Sequence, residues 1–223
     1  MAFLARRLWF RWNRALKTDV SLTGGPFPQG NQELSTMTDT IDSLQSEVLD
    51  FWFRELTPQE WFEAGERLDP IVRERFGMLH EQAANGACDH WRDTPLARLA
   101  LIIVLDQFSR HIHRGDARAF AQDAKARELA LDGITQGWDE RLAFAQRHFF
   151  YMPLMHAEDP ELQRRCVERF TALRDFAEQA LSFAQSHADE ITRFGRFPHR
   201  NQALLRPSTH EELAFLQSDE AAA

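Results

Sequence analysis

The chain has 223 residues, 43% hydrophobic and 27% charged, which suits one folded domain and excludes wholesale disorder and a membrane-protein composition. Its formal net charge of −8 and pI near 5.6 exclude nucleic acid or an anionic bilayer as a partner of the surface as a whole, so any bound anion has to meet a local basic patch. The two cysteines, Cys88 and Cys166, have neither the spacing of a disulfide framework nor that of a metal-binding pair, and a reducing cytoplasm is the expected compartment.

In chain order, residues 1–40 read as a basic amphipathic extension followed by a flexible linker. Arg6, Arg7, Arg11, Arg14 and Lys17 alternate with Phe3, Leu4, Leu8, Trp9, Trp12 and Leu16 at helical spacing. Such a segment suits a membrane surface or organelle targeting, and is too short and too charged to span a bilayer. The other reading is that the natural start is Met37, with the preceding residues absent from the native protein. The remainder forms one all-helical domain, 41–217, with a disordered tail at 218–223.

Helix starts are marked by a capping residue followed by proline at Thr57-Pro58, Asp69-Pro70, Thr94-Pro95 and Asp159-Pro160, and by a Ser208/Glu211 capping box. The apolar stripes that follow predict helices at about 42–56, 58–64, 70–84, 95–110, 117–132, 139–151, 160–185, 187–194 and 209–217. Gly86, Gly115, Gly133, Gly137 and Gly195 sit near expected helix ends. No alternating strand pattern appears, so the fold class is all-α, an antiparallel helical array with short connections.

Three polar constellations interrupt the apolar pattern. In LDQFSR, Asp106 and Arg110 are four apart and share a helix face, with His111, His113 and Arg114 just beyond; an orienting carboxylate and an ordinary ion pair are both open readings. In HFFYMPLMHAEDPELQ the helix is expected to break at Pro153, leaving His156 and Glu158 to face one cleft as an acid/base pair or as metal ligands. One His-x-Glu is a weak metal signal, so no metal and no cofactor are expected, a divalent ion remaining the minor alternative. In RFGRFPHRNQALLRPST, Arg196, His199, Arg200, Asn201 and Arg206 stand together with no carboxylate between Glu190 and Glu211. Guanidinium forks suit carboxylates and phosphates; the competing reading is that these arginines pair with the chain's own excess acid. The chain has no GxGxxG, GxxxxGK[ST] or G-x-S-x-G motif, which argues against the dinucleotide, P-loop and serine-hydrolase chemistries.

Together, EVLDFWF, LALIIVLDQFSR, AFAQDAKA, FFYMPLMHAED, Gln163 and RFGRFPHRN resemble the bacterial DUF924 family over about residues 47–216. The resemblance implies a helical fold similar to tetratricopeptide-repeat (TPR) proteins, supports a start at Met37, and implies no activity. Two departures stand out. His111 and His113 stand where the family tends to have Asn and Tyr, and Leu204-Leu205-Arg206 stands where it tends to have Leu-Gly-Arg.

The expected function is a binding module whose cleft takes an anionic small molecule or peptide on Arg110, Arg114, Arg196, His199, Arg200, Asn201 and Arg206, with a protein partner also open. The alternative is an enzyme of hydrolase or lyase type on an anionic substrate, with His156, Glu158 and Asp106 as acid/base groups.

Overall fold

The computed structural model describes residues 43–218. The basic extension and linker, both candidate starts and the tail beyond Ser218 lie outside the described residues. Among those described there is no strand, and the protein is all-α. No described helix is long and apolar enough to cross a membrane. The described residues divide into two compact units, 43–174 and 175–218.

The first unit is built around its most apolar segment. α1 (43–50) runs into a π-helical turn, Phe51–Glu55, and is followed by the short α2 (Glu60–Glu63) and a 3₁₀ turn, Gly65–Leu68. α3 is Asp69–Ala84. Pro95–Ile102, a π-helical stretch Ile103–Phe108 and Ser109–Ile112 follow one another without a gap and together form α4. α5 is Asp123–Thr135 and α6 is Phe144–Met155. α7, Pro160–Phe194, belongs to this unit up to Arg174.

Every residue of α4 from Leu99 to Ser109 is buried, as expected of a helix that is apolar on all sides. α3, α5 and α6 pack on it. Rings from four elements close the core around it: Phe76 stacks on Phe108 at 4.7 Å, and Trp52 and Trp61 meet Phe149 edge-on at 5.3 and 4.9 Å. Each such pair adds roughly 0.5–1.5 kcal/mol beyond its buried area. One buried cation is fully matched: the Arg98 guanidinium donates to the Arg92 and Leu129 carbonyls and to Asp132, and stacks on Trp138.

Several predicted boundaries hold and others move. Thr94 caps α4 through Ala97 N–H, and Asp159 caps α7 through Leu162 N–H. Asp69 does not cap α3. The 3₁₀ turn leads straight into the helix, and the carboxylate is taken by His111 of α4 and by Arg114 just beyond it. α6 passes through Pro153 rather than breaking before it. A proline there removes only the hydrogen bond to the Phe149 carbonyl, and burial of residues 149–154 holds the helix.

In the second unit, 175–218, the rest of α7 continues without the predicted break near residue 186, where neither Gly nor Pro interrupts it. Gly195 then turns the chain at φ +68°, a 3₁₀ turn spans Pro198–Arg200, and α8 is His210–Leu216. The α8 capping box uses Thr209 and Glu212, one residue beyond the predicted pair.

Candidate functional site

The π-helical stretch of α4 widens the helix by one residue per turn, a deformation often found where a side chain has to be re-aimed. Asp106 lies in it and is completely buried. Its Oδ1 accepts from His156 Nδ1 at 2.8 Å and lies 3.1 Å from the Arg110 guanidinium; its Oδ2 accepts from Gln107 Nε2 at 2.5 Å. Arg110 also donates to the Asp106 carbonyl, forks onto both oxygens of Asp123 at 3.0 and 3.1 Å, and covers the Phe120 ring.

His156 is the residue that ends α6. Gln163, one turn into α7, donates from one amide nitrogen to the carbonyls of Met155 and Ala157, which fixes the backbone on both sides of the histidine. The ring is mostly covered, with 22% of the side chain open to solvent. An ionised carboxylate only accepts hydrogen bonds, so Nδ1 is the donor in the contact with Asp106, and in a neutral ring Nε2 is then the accepting nitrogen. An open groove of about 330 Å³ is lined by Met155, the residue before His156, and by Gln163, Cys166, Val167, Phe170, Thr171 and Arg174; His156 itself is not part of the lining. Burial pushes the Cys166 thiol up, away from the reactive thiolate. Glu158 is exposed and does not join His156, so the expected His156 and Glu158 pair is not formed and the carboxylate that meets His156 is Asp106. Among the described residues no three His, Cys, Asp or Glu side chains converge in a metal-holding group.

The remaining predicted arginines are occupied to different degrees. In the first unit, Arg114 donates to both Asp69 oxygens, and His111 Nδ1 lies 2.8 Å from the same carboxylate. The Arg114 guanidinium, more than His111, holds the Asp69 carboxyl below its usual range. Nearby, His80 Nε2 donates to the Ser109 hydroxyl, which in turn donates to the Leu105 carbonyl.

In the second unit, Arg196 forks onto Glu212 at 2.6 and 2.8 Å and reaches the Pro207 carbonyl. Glu212 also accepts from Thr209 N–H and from Asn201, and Arg196 is the main reason its carboxyl is held down at about 2. Arg206 donates to the Phe197 carbonyl. His199 lies 3.7 Å from Glu190. Arg200 lies over the Phe197 ring at 4.3 Å and makes no ion pair among the described residues.

Spacing alone identified the Asp106 and Arg110 pair. It missed Asp123, Asp69 and Glu212, the carboxylates that occupy the arginines, because they lie 13 to 45 residues away along the chain. Gln107 carried a usable signal: an amide directly after so apolar a run has to be buried and partnered.

The family model for DUF924, bacterial proteins of unknown function, matches residues 48–220. A solved structure of a protein of unknown function from Agrobacterium tumefaciens is 37% identical, with a TM-score of 0.56, and the match covers 79% of this chain and 98% of that one. No functionally curated protein matches the chain. The chain belongs to the DUF924 family of bacterial proteins of unknown function.

Proposed function

We propose that the protein is a general acid/base catalyst of hydrolase type, with His156 as the group that moves the proton. The observation that carries this is the buried Asp106 carboxylate set 2.8 Å from His156 Nδ1, with Gln163 holding the backbone on either side. In this reading Nε2 accepts a proton from a water molecule as its oxygen attacks the substrate, and the imidazolium then returns that proton to the leaving group. Asp106 is a positioning residue that fixes the tautomer and offsets the imidazolium charge; Gln107 and Arg110 hold Asp106 in turn. The largely apolar groove beside Met155 and Gln163 suits the non-reacting part of a small amphipathic substrate.

The test is a hydrolase screen on ester, amide and phosphoester substrates with wild type, His156→Gln and Asp106→Asn. A turnover lost by about 10²-fold or more in His156→Gln, with the thermal midpoint kept, supports the reading. Turnover unaffected by that change, or a fall in thermal midpoint with no activity found in any variant, makes the pair a structural contact that ends α6.

A second reading is supported by Arg200. Arg110, Arg114 and Arg196 are engaged by internal carboxylates, whereas Arg200 presents its guanidinium on the Phe197 ring with His199 beside it. An anionic group of a small molecule or peptide would bind there, and loss of that binding in Arg200→Gln with Arg196→Gln as the stability control separates the two roles.

A further inference from the structure

Arg92, Arg127 and Arg165 come from three elements, the 3₁₀ turn Asp89–Asp93, α5 and α7, and line one groove of about 530 Å³ in the first unit. None of the three was singled out by sequence motif. Asp132 and Glu128 share the groove. Asp132 is already matched by the buried Arg98 guanidinium at 2.7 Å and by Gln136 at 2.9 Å. Glu128, largely exposed, stands 3.5 Å from Arg92. Arg127 and Arg165 are partly buried and make no ion pair or hydrogen bond among the described residues.

That arrangement is unexpected in a chain with 34 acidic and 26 basic residues, where a guanidinium has carboxylates in plenty to choose from. After Glu128 is set against Arg92 and Asp132 against Arg98, Arg127 on α5 and Arg165 on α7 line the groove with no carboxylate at ion-pair distance, Glu161 acting on Arg165 only from further away. Like charges held together in a partly desolvated groove repel, and a ligand of opposite charge relieves the repulsion while using forks that suit oxyanions. Leu131 and Ala124 supply an apolar wall for the ligand's carbon skeleton.

We propose that this groove between α5 and α7 binds a small dianion, whose oxyanion groups are held by Arg127 and Arg165. The site is distinct in its residues from His156 and from the Arg200 loop, so it stands or falls independently of the proposed catalysis.

The experiment is calorimetric titration of the full chain with succinate, in which two carboxylates are separated, and with inorganic phosphate, in which the charge sits on one centre. One of the two is expected to bind. Its Kd should rise by about tenfold or more in Arg127→Gln and in Arg165→Gln, the scale of one lost charge-assisted hydrogen bond. Arg165→Lys, which keeps the charge and loses the fork, should fall between wild type and the glutamine variant. Both side chains are partly exposed and make no ion pair or hydrogen bond among the described residues, so the thermal midpoint should be nearly unchanged, and that is checked alongside. Three results each overturn the proposal: neither probe binding at millimolar concentration, binding undiminished in both glutamine variants, or binding lost in Arg200→Gln instead.

Discussion

Leu205 has φ +53°, the only non-glycine residue with a positive φ among those described, and its side chain is 94% exposed. The left-handed conformation brings Cβ against the following carbonyl at a cost of roughly 1–2 kcal/mol, and an exposed leucine recovers none of it by packing. This is the position where the family resemblance led us to expect glycine. The backbone has kept the conformation that glycine takes freely. Leu205→Gly should therefore stabilise the turn that carries Arg206 by about 0.5–1 kcal/mol, the relief of strain exceeding the extra freedom glycine gives the unfolded chain. Urea unfolding followed by a probe in residues 195–216 measures it; a lower midpoint would mean that the loop is not strained. Gly133 makes the opposite point. It was expected near a helix end, but it lies inside α5, where a Cβ would stand 2.5 Å from Phe150 Cζ and 3.1 Å from Arg98 Cδ. Close packing explains this glycine, since its φ is not positive.

At the scale of elements, the contact between α3 and α4 gathers histidines that burial keeps neutral. Burial lowers the pKa of His80, and the neighbouring His113 adds to the effect; His113 itself is lowered chiefly by burial. His111 is lowered by burial against the opposing pull of Asp69. A group whose folded pKa is depressed contributes stability above its unfolded value and loses it as pH falls through the folded one. The unfolded value is near 6.5, so the unfolded chain binds more protons from about pH 6.5 downward, and stability should decline there well before the carboxylates titrate. The urea midpoint at pH 7.5, 6.5 and 5.5 tests this. The expected result is a fall across the lower interval that His80→Gln and His111→Gln each reduce; a flat profile would contradict it. These same elements show what sequence could and could not reveal. The Asp106 and Arg110 pair and the caps at Thr94 and Asp159 are local, so spacing found them. The partners of Arg114, Arg196 and His156 are fixed by packing across 16 to 50 residues, which no local pattern encodes. The π-helical turn has no residue signature of its own either; the apolar run LIIVLDQF reads equally well as an ordinary helix.

At the scale of the molecule, the core is unevenly shared. Among the described residues, the connected cluster of buried apolar side chains runs from Val48 to Leu173 and takes no member from beyond residue 174. Between 175 and 218 the buried residues are Pro198, Asn201, Glu212 and Phe215, and the unit is held chiefly by the Arg196–Glu212 fork, the Thr209 capping box and the packing of Phe194 on Phe215. α7 there carries Phe176, Leu181 and Phe183 in the open. Local stability follows the apolar area a segment buries, and hydrogen exchange reads it segment by segment. Amides in α4 and α6 should exchange only through global unfolding, whereas those of 195–216 should open separately and exchange at least about 10²-fold faster. Because Glu212 holds its proton only near pH 2, the Arg196–Glu212 fork stays intact through neutral and mildly acid conditions. The difference between the two units should accordingly be set by packing, and should persist between pH 5 and 8 once intrinsic exchange rates are removed. Exchange mass spectrometry on the full chain measures both regions at once. Equal protection on the two sides of residue 174 would show that the second unit shares the global unfolding event, and that its few buried contacts are worth far more than their area implies.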